Sequence, residues 1–151
     1  KWRDFDNDLF DDLYNDDSFE REFNHKIYGS DISVPAIRIA EQNVKSAGLT
    51  KYIELNAVSI QDIEMPETAK LMVTNPPYGE RLEEKENLPG IYREFGNRFK
   101  QLDTWSAYLI TSYEDTEKYI GRKADKNRKI YNGMLKTYLY QFLGPKPPKQ
   151  Q

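Results

Sequence analysis

Cysteine is absent from the 151 residues, and histidine occurs once, at His25. Without thiols there can be no cysteine nucleophile and no thiolate-bound metal, and His25 has no companion that would make it a general base. Glycine is sparse, eight residues in all. No two of them form the paired turn after an apolar strand with which nucleotide-binding α/β folds commonly open. No apolar run approaches the length of a membrane span, so a membrane-spanning role is not expected.

What is present suits one ordinary domain able to bury a core. The net charge of −3 averages two unlike ends: residues 1–24 hold nine acidic and three basic residues, whereas residues 118–151 hold nine basic residues against Asp125 alone. A polyanion would meet the carboxyl end. Phe5, Leu9 and Leu13 have helical spacing, which predicts an acidic amphipathic helical lead-in over residues 1–25. Asp4, Asp6 and Asp8 alternate like the start of a calcium loop, but the glycine and closing glutamate of such a loop are missing. Residues 26–30 read as a strand ending at Asp31. Ser33 is then a good N-cap for a helix that turns Ile37, Ala40, Val44 and Ala47 inward and stops at Gly48. Residues 52–58 form a further strand candidate. Residues 80–89 read as a charged substrate loop, followed by a helix marked by Ile91, Phe95 and Leu102, a buried strand over 105–111 and a short helix over 114–120. Asn132-Gly133 between two strand-like runs predicts a hairpin over 129–143. Residues 144–151 form a tail.

The most informative residues are Asn75-Pro76-Pro77-Tyr78. They follow the run Leu71-Met72-Val73-Thr74, which reads as a buried central strand, and two prolines end that strand at once. Left at its carboxyl end are one side-chain amide, carbonyls on a rigid backbone and an aromatic ring, which together can grip a flat ring bearing an amine. The exocyclic amine of a nucleobase is a poor nucleophile because its lone pair is conjugated into the ring. If the Asn75 side-chain oxygen and the Pro76 carbonyl each accept one of its N–H bonds, the nitrogen moves toward tetrahedral geometry and the lone pair is freed. Tyr78 would stack on the base once it has left its helix. In-line placement of a methyl donor then suffices, with no metal and no covalent intermediate.

Asn75-Pro76-Pro77-Tyr78 resembles the [Asn/Asp/Ser]-Pro-Pro-[Tyr/Phe/Trp] signature of S-adenosylmethionine-dependent methyltransferases acting on base amines. Its extension through Gly79-Glu80-Arg81-Leu82 is similar to the branch that methylates guanine N2 in RNA, especially the bacterial large-subunit ribosomal RNA enzymes. Tyr28-Gly29-Ser30-Asp31, Asn43 to Leu49, and Lys123 to Lys126 with Asn132-Gly133 downstream extend the resemblance over residues 26–143. It implies a catalytic domain there with an α/β fold: a Rossmann-like class I methyltransferase sheet, mostly parallel, ending in an antiparallel hairpin. It also implies that Asn75, Pro76, Pro77 and Tyr78 are catalytic. Asp31, Ile32, Ser59, Ile60 and Asn75 would hold S-adenosylmethionine, Asp31 through the ribose hydroxyls. Tyr78, Arg81, Lys123, Lys126 and Lys129 would meet substrate RNA, with ribosomal RNA the first candidate. An acidic residue is usual where this chain has Ser59, so a charge-assisted bond to the adenine amine becomes a neutral one unless Asp62 compensates. Methylation at pyrimidine C5, which needs a cysteine, is excluded; transfer RNA guanine and DNA adenine N6 are alternative targets, and a non-catalytic RNA-binding remnant is a third reading. The resemblance implies that the first strand and the glycine-rich loop are missing, to be supplied by an upstream segment of the same protein along with an RNA-binding module. A cytoplasmic location is expected.

Overall fold

The computed structural model describes residues 2–67, 70–79 and 82–146. These fall into two compact units, one comprising residues 1–29 and 35–56 and the other residues 30–34 and 57–151. Residues 26–143, expected to form a single catalytic domain, are thus shared between the two. No described helix is long and apolar enough to cross a membrane.

The first unit begins with α1 (Asn7–Tyr14), where Asp6 caps the helix by accepting the Leu9 N–H at 3.0 Å. The predicted apolar stripe is present, but Leu9 and Leu13 remain exposed. Strand β1 (Ile27–Asp31), whose last two residues belong to the second unit, leads into α2 (Val34–Ser46), and β2 (Ile53–Ala57) follows. Ser33 stands immediately before α2 as predicted, Ile37 is buried, and Gly48 carries the positive φ of a helix stop. β1 and β2 form a two-stranded sheet.

The second unit holds a four-stranded sheet in the order β3-β4-β6-β5, built from β3 (Leu71–Thr74), β4 (Ser106–Thr111), β5 (Lys126–Asn132) and β6 (Leu135–Phe142). β3 and β4 run parallel; β6 is antiparallel to both β4 and β5. Every second residue of β4 is buried. That face packs against one stripe of α3 (Leu82–Lys100): Leu88, Tyr92, Phe95 and Phe99 recur at helical spacing and join Ala107, Leu109, Tyr140, Phe142 and Ile120 of α4 (Thr116–Ile120) in one core.

β3 is the edge strand of its sheet among the described residues, with Leu71 and Val73 exposed, which is how the absence of a first strand beside it leaves an apolar run suited to burial. Two expectations need correction. The charged stretch 80–89 is not a loop over its described part, since α3 already begins at Leu82. Glu and Lys are strong helix formers, and Leu88, fully buried, anchors this turn in the core. Pro89 lies inside the helix, at the cost of one main-chain bond. In the hairpin, Asn132 pairs with Leu135, so the two loop residues are Gly133 and Met134 and not Asn132-Gly133. Only Gly133, at φ +61°, takes a positive φ, the pattern of a type II′ turn, whose first central position glycine fills.

Candidate active site

β3 ends at Thr74, and the proline pair carries the chain off the sheet at its carboxyl edge. There Asn75 is exposed and Tyr78 half-buried. The Tyr78 hydroxyl reaches back and donates to Asn75 Oδ1. The acceptor end of the amide therefore points to the side on which the ring lies, and a donor already sits on it. Gly79 follows at φ +81°, and a Cβ there would stand 2.7 Å from Leu88 Cδ1, so this turn both needs glycine and rests directly on α3.

A second tyrosine holds the motif from behind. Tyr92 of α3 is buried, and its hydroxyl donates to the Pro77 carbonyl at 3.2 Å while lying 2.5 Å from Thr111 Oγ1 at the end of β4. Thr111 Oγ1 in turn accepts the Tyr113 N–H at 3.0 Å. One consistent chain of donors results: Tyr113 N–H to Thr111, Thr111 O–H to Tyr92, Tyr92 O–H to Pro77. Burial above all pushes the Tyr92 phenol well beyond the ordinary tyrosine range, which keeps it a neutral donor.

The predicted cofactor residues lie in this same unit. Asp31 closes β1; it is exposed, and its Oδ1 accepts the Ser33 N–H at 2.7 Å while its main-chain oxygen accepts the Val58 N–H at 3.0 Å. Ile32 follows it, exposed. Ser59 and Ile60 are half-buried, and the Ser59 hydroxyl donates to Asp62 Oδ2 at 2.7 Å. The Asp62 carboxylate is thus held against the Ser59 hydroxyl. The loop itself is clamped from α3: Arg98 Nε donates to the Ile60 carbonyl at 3.1 Å and Arg98 Nη2 to the Ile63 carbonyl.

Of the residues expected at RNA, Arg81 lies outside the described residues. Lys123, Lys126 and Lys129 are all exposed. Lys123 is in the turn after α4; Lys126 opens β5 opposite Gln141, and Lys129 stands three residues on, opposite Tyr138, on the other face. His25 packs edge-on against Phe23, their ring centroids 5.6 Å apart. Tyr92, Thr111 and Arg98 are the structurally engaged residues that the sequence reading did not single out. Tyr92 sits on the helix stripe that also carries Leu88, Phe95 and Phe99, so its spacing marks it only as core.

Residues 7–141 match the family described as RMKL-like, methyltransferase domain (UPF0020). YpsC of Bacillus subtilis (strain 168), provisionally named an RNA methyltransferase, is 41% identical over 125 residues, covering 83% of this chain and 32% of YpsC. Ribosomal RNA large subunit methyltransferase K/L of Hahella chejuensis (strain KCTC 2396) is 40% identical over 128 residues, covering 82% of this chain and 18% of that protein. The crystal structure of SMU.472, a provisionally assigned methyltransferase complexed with SAH, superposes with a TM-score of 0.84 at 35% identity, covering 97% of this chain and 39% of that one. The chain thus spans about a third of the length of YpsC.

Proposed function

Because the chain belongs to the family of RMKL-like methyltransferase domains, we propose that the protein containing it transfers a methyl group from S-adenosylmethionine to the exocyclic N2 amine of a guanine in RNA, with large-subunit ribosomal RNA as substrate. The observation that carries this reading is the bond from the Tyr78 hydroxyl to Asn75 Oδ1. It supports Asn75 as an acceptor for an incoming donor on the ring side of the motif, the part the base amine plays.

In this reading the amine replaces the Tyr78 hydroxyl on Asn75 Oδ1 and gives its second N–H to the Pro76 carbonyl. Tyr78, released, turns its ring to stack on the extruded base. Tyr92, donating to Pro77, keeps the backbone of the motif from moving as this exchange occurs. When bound, S-adenosylmethionine supplies a methyl group carried on a positively charged sulfur. The residues present fit its nucleoside part: the exposed Asp31 carboxylate suits a pair of ribose hydroxyls, the Asp62 carboxylate beside Ser59 suits the adenine amine, and Ile32 and Ile60 offer apolar contact to the purine. A segment of the protein outside these residues supplies the grip on the amino-acid end and a strand for the bare edge of β3. The names of YpsC and of the K/L enzyme favour RNA, and that of the K/L enzyme ribosomal RNA, whereas a structure from Listeria monocytogenes at 44% identity is provisionally named an N6-adenine-specific DNA methylase.

The test is mass spectrometry of nucleosides from cells lacking the gene. N2-methylguanosine of large-subunit ribosomal RNA should fall and return on complementation with the wild-type gene, but not with Asn75→Ala. Unchanged N2-methylguanosine, with a modified nucleoside lost from transfer RNA or from DNA instead, would move the substrate to that nucleic acid.

A further inference from the structure

The register of the four-stranded sheet places the hairpin tip at the same edge as the Asn75 to Tyr78 motif. Thr74, the last residue of β3, is level with Leu109 of β4, which is level with Tyr140 of β6 and, through it, with Asn127 of β5. β4 stops at Thr111, opposite Tyr138, whereas β6 and β5 remain paired for three further positions, out to Leu135 and Asn132. The hairpin therefore overhangs the carboxyl edge by ~10 Å at ~3.4 Å per residue. Three inter-strand steps of ~4.8 Å set β5 at ~14 Å from β3.

Residues directly opposed in an antiparallel ladder share a face. Lys129 is opposed to Tyr138 and Tyr131 to Lys136, so ring and ammonium alternate both along and across the strands. Lys129 Nζ lies 5.0 Å from the Tyr131 ring centroid, and Lys136 Nζ lies 5.2 Å from that of Tyr138. Tyr131 is 61% exposed and Met134 at the tip is fully exposed. Lys129 and Lys136 give the patch its positive charge, with the Glu114 carboxylate acting on Lys136. Cross-strand pairing alone would stabilise a hairpin, but it accounts neither for the exposed ring nor for the overhang beside the motif. Rings that take bases by stacking, interleaved with cations that take phosphates, are the elements of a single-strand platform.

We propose that the Lys129, Tyr131, Lys136 and Tyr138 face of the β5–β6 hairpin binds the unpaired RNA immediately flanking the target base. This rests on the reading of the protein as an RNA methyltransferase and adds where the strand runs: from Tyr78 across the carboxyl edge to Tyr131, a path whose lateral part alone, ~14 Å, takes about four nucleotides at the ~3.4 Å spacing of stacked bases. Arg128, one residue along β5 from Lys129, is on the opposite face and outside the path.

The experiment uses the full gene product, ribosomal RNA from cells lacking the gene as substrate, and a 12-nucleotide single-stranded RNA as binding probe. Tyr131→Ala should weaken probe binding and raise KM for the ribosomal RNA by about ten-fold, the worth of one base stack, while kcat at saturating RNA and the cofactor KM hold. Tyr131→Phe should restore the wild-type values. The double variant Lys129→Ala/Lys136→Ala should lower the slope of log Kd against log salt by about 1.4, at ~0.7 for each phosphate on a single strand. Arg128→Ala is the comparison for charge that lies off the path. Wild-type probe affinity and KM in Tyr131→Ala, or an Arg128→Ala effect equal to that of the lysine variant, would overturn the assignment of this face while the wild-type enzyme still turns over. A wild-type protein that methylates no RNA would overturn the functional reading itself, and this proposal with it.

Discussion

Replacing Tyr92 with Phe separates the support of the motif from the packing of the core. The ring stays in place, so no cavity opens; only the hydroxyl is removed. Lost are its donation to the Pro77 carbonyl at 3.2 Å and its contact with Thr111 Oγ1 at 2.5 Å. Each such bond is worth ~1 kcal/mol net, and the buried Thr111 hydroxyl, left without its acceptor, adds a desolvation cost, so ~2–3 kcal/mol of stability should go. Turnover should fall separately, because Pro77 is then free to shift and small misplacements of reacting groups cost up to ~100-fold in rate; about ten-fold in kcat is expected. Thr111→Val is the control. It also breaks the buried chain and costs stability, but it leaves the Tyr92 to Pro77 bond intact and should leave kcat near wild type. Denaturant unfolding gives the first quantity, and single-turnover methylation of RNA from cells lacking the gene gives the second. Equal kcat in Tyr92→Phe and wild type, or equal losses in Tyr92→Phe and Thr111→Val, would reduce Tyr92 to a core residue and refute the reasoning.

Asn75→Ala should cut methyl transfer by ~100-fold or more, the scale of losing one positioned polar group from a transition state, with cofactor affinity changing less; near-normal single-turnover rates would remove Asn75 from the mechanism. Tyr78→Phe should keep or raise activity, because it frees Asn75 Oδ1 of a competing donor, whereas Tyr78→Ala should lose the ~1–3 kcal/mol of a base stack; normal turnover in the alanine variant would refute stacking. Arg98→Ala releases the two carbonyls that fix residues 60–63, so the KM for S-adenosylmethionine should rise more than kcat falls, and the reverse pattern in steady-state kinetics would count against a cofactor loop. Burial raises the Tyr92 phenol and, as the first cause in each case, those of Tyr113 and Tyr140. A raised folded value contributes stability that is full below ~10, the unfolded tyrosine value, and is lost as pH rises above it. Denaturation midpoints followed from pH 8 to 11 should therefore fall more steeply for wild type than for Tyr92→Phe, and parallel curves would contradict the linkage.

Local character was legible in the sequence where one segment's own residues decide its structure. The apolar run before Asn75-Pro76-Pro77-Tyr78, the Ser33 helix entry, the alternation in residues 105–111 and the glycine of the hairpin each state their conformation without reference to a distant neighbour. Residues 82–89 look like a loop by charge alone, but glutamate and lysine favour helix, and Leu88 is legible as core only once Tyr92, Phe95 and Phe99 are placed with it. The hairpin loop was displaced by one residue because Asn132-Gly133 suits a type I′ turn, whereas the cross-strand register, set by Lys129 against Tyr138 and Tyr131 against Lys136, puts glycine first. Tyr92 and Arg98 were hidden for a related reason. Their roles lie in partners 15 and 38 residues away in sequence, Pro77 and Ile60, and no pattern within a helix records a partner of that kind.

β3 shows what such a mismatch can reveal. Leu71, Met72 and Val73 are apolar on both faces, the composition of a strand with neighbours on either side. The described residues give it a neighbour on one side only, β4, and leave Leu71 55% and Val73 71% exposed. Soluble proteins blunt a permanently free edge with charge, proline or a bulge, because an apolar, unprotected edge invites pairing with another chain. None of these devices interrupts the run Leu71-Met72-Val73; the prolines come only after it, where they serve the motif. The strand thus has the composition of a covered strand and the position of an uncovered one. That conflict supports the proposal that another strand of the same protein pairs along β3. Such a strand would also brace the backbone from which Asn75 projects, so pairing at this edge and activity at the motif should be gained and lost together.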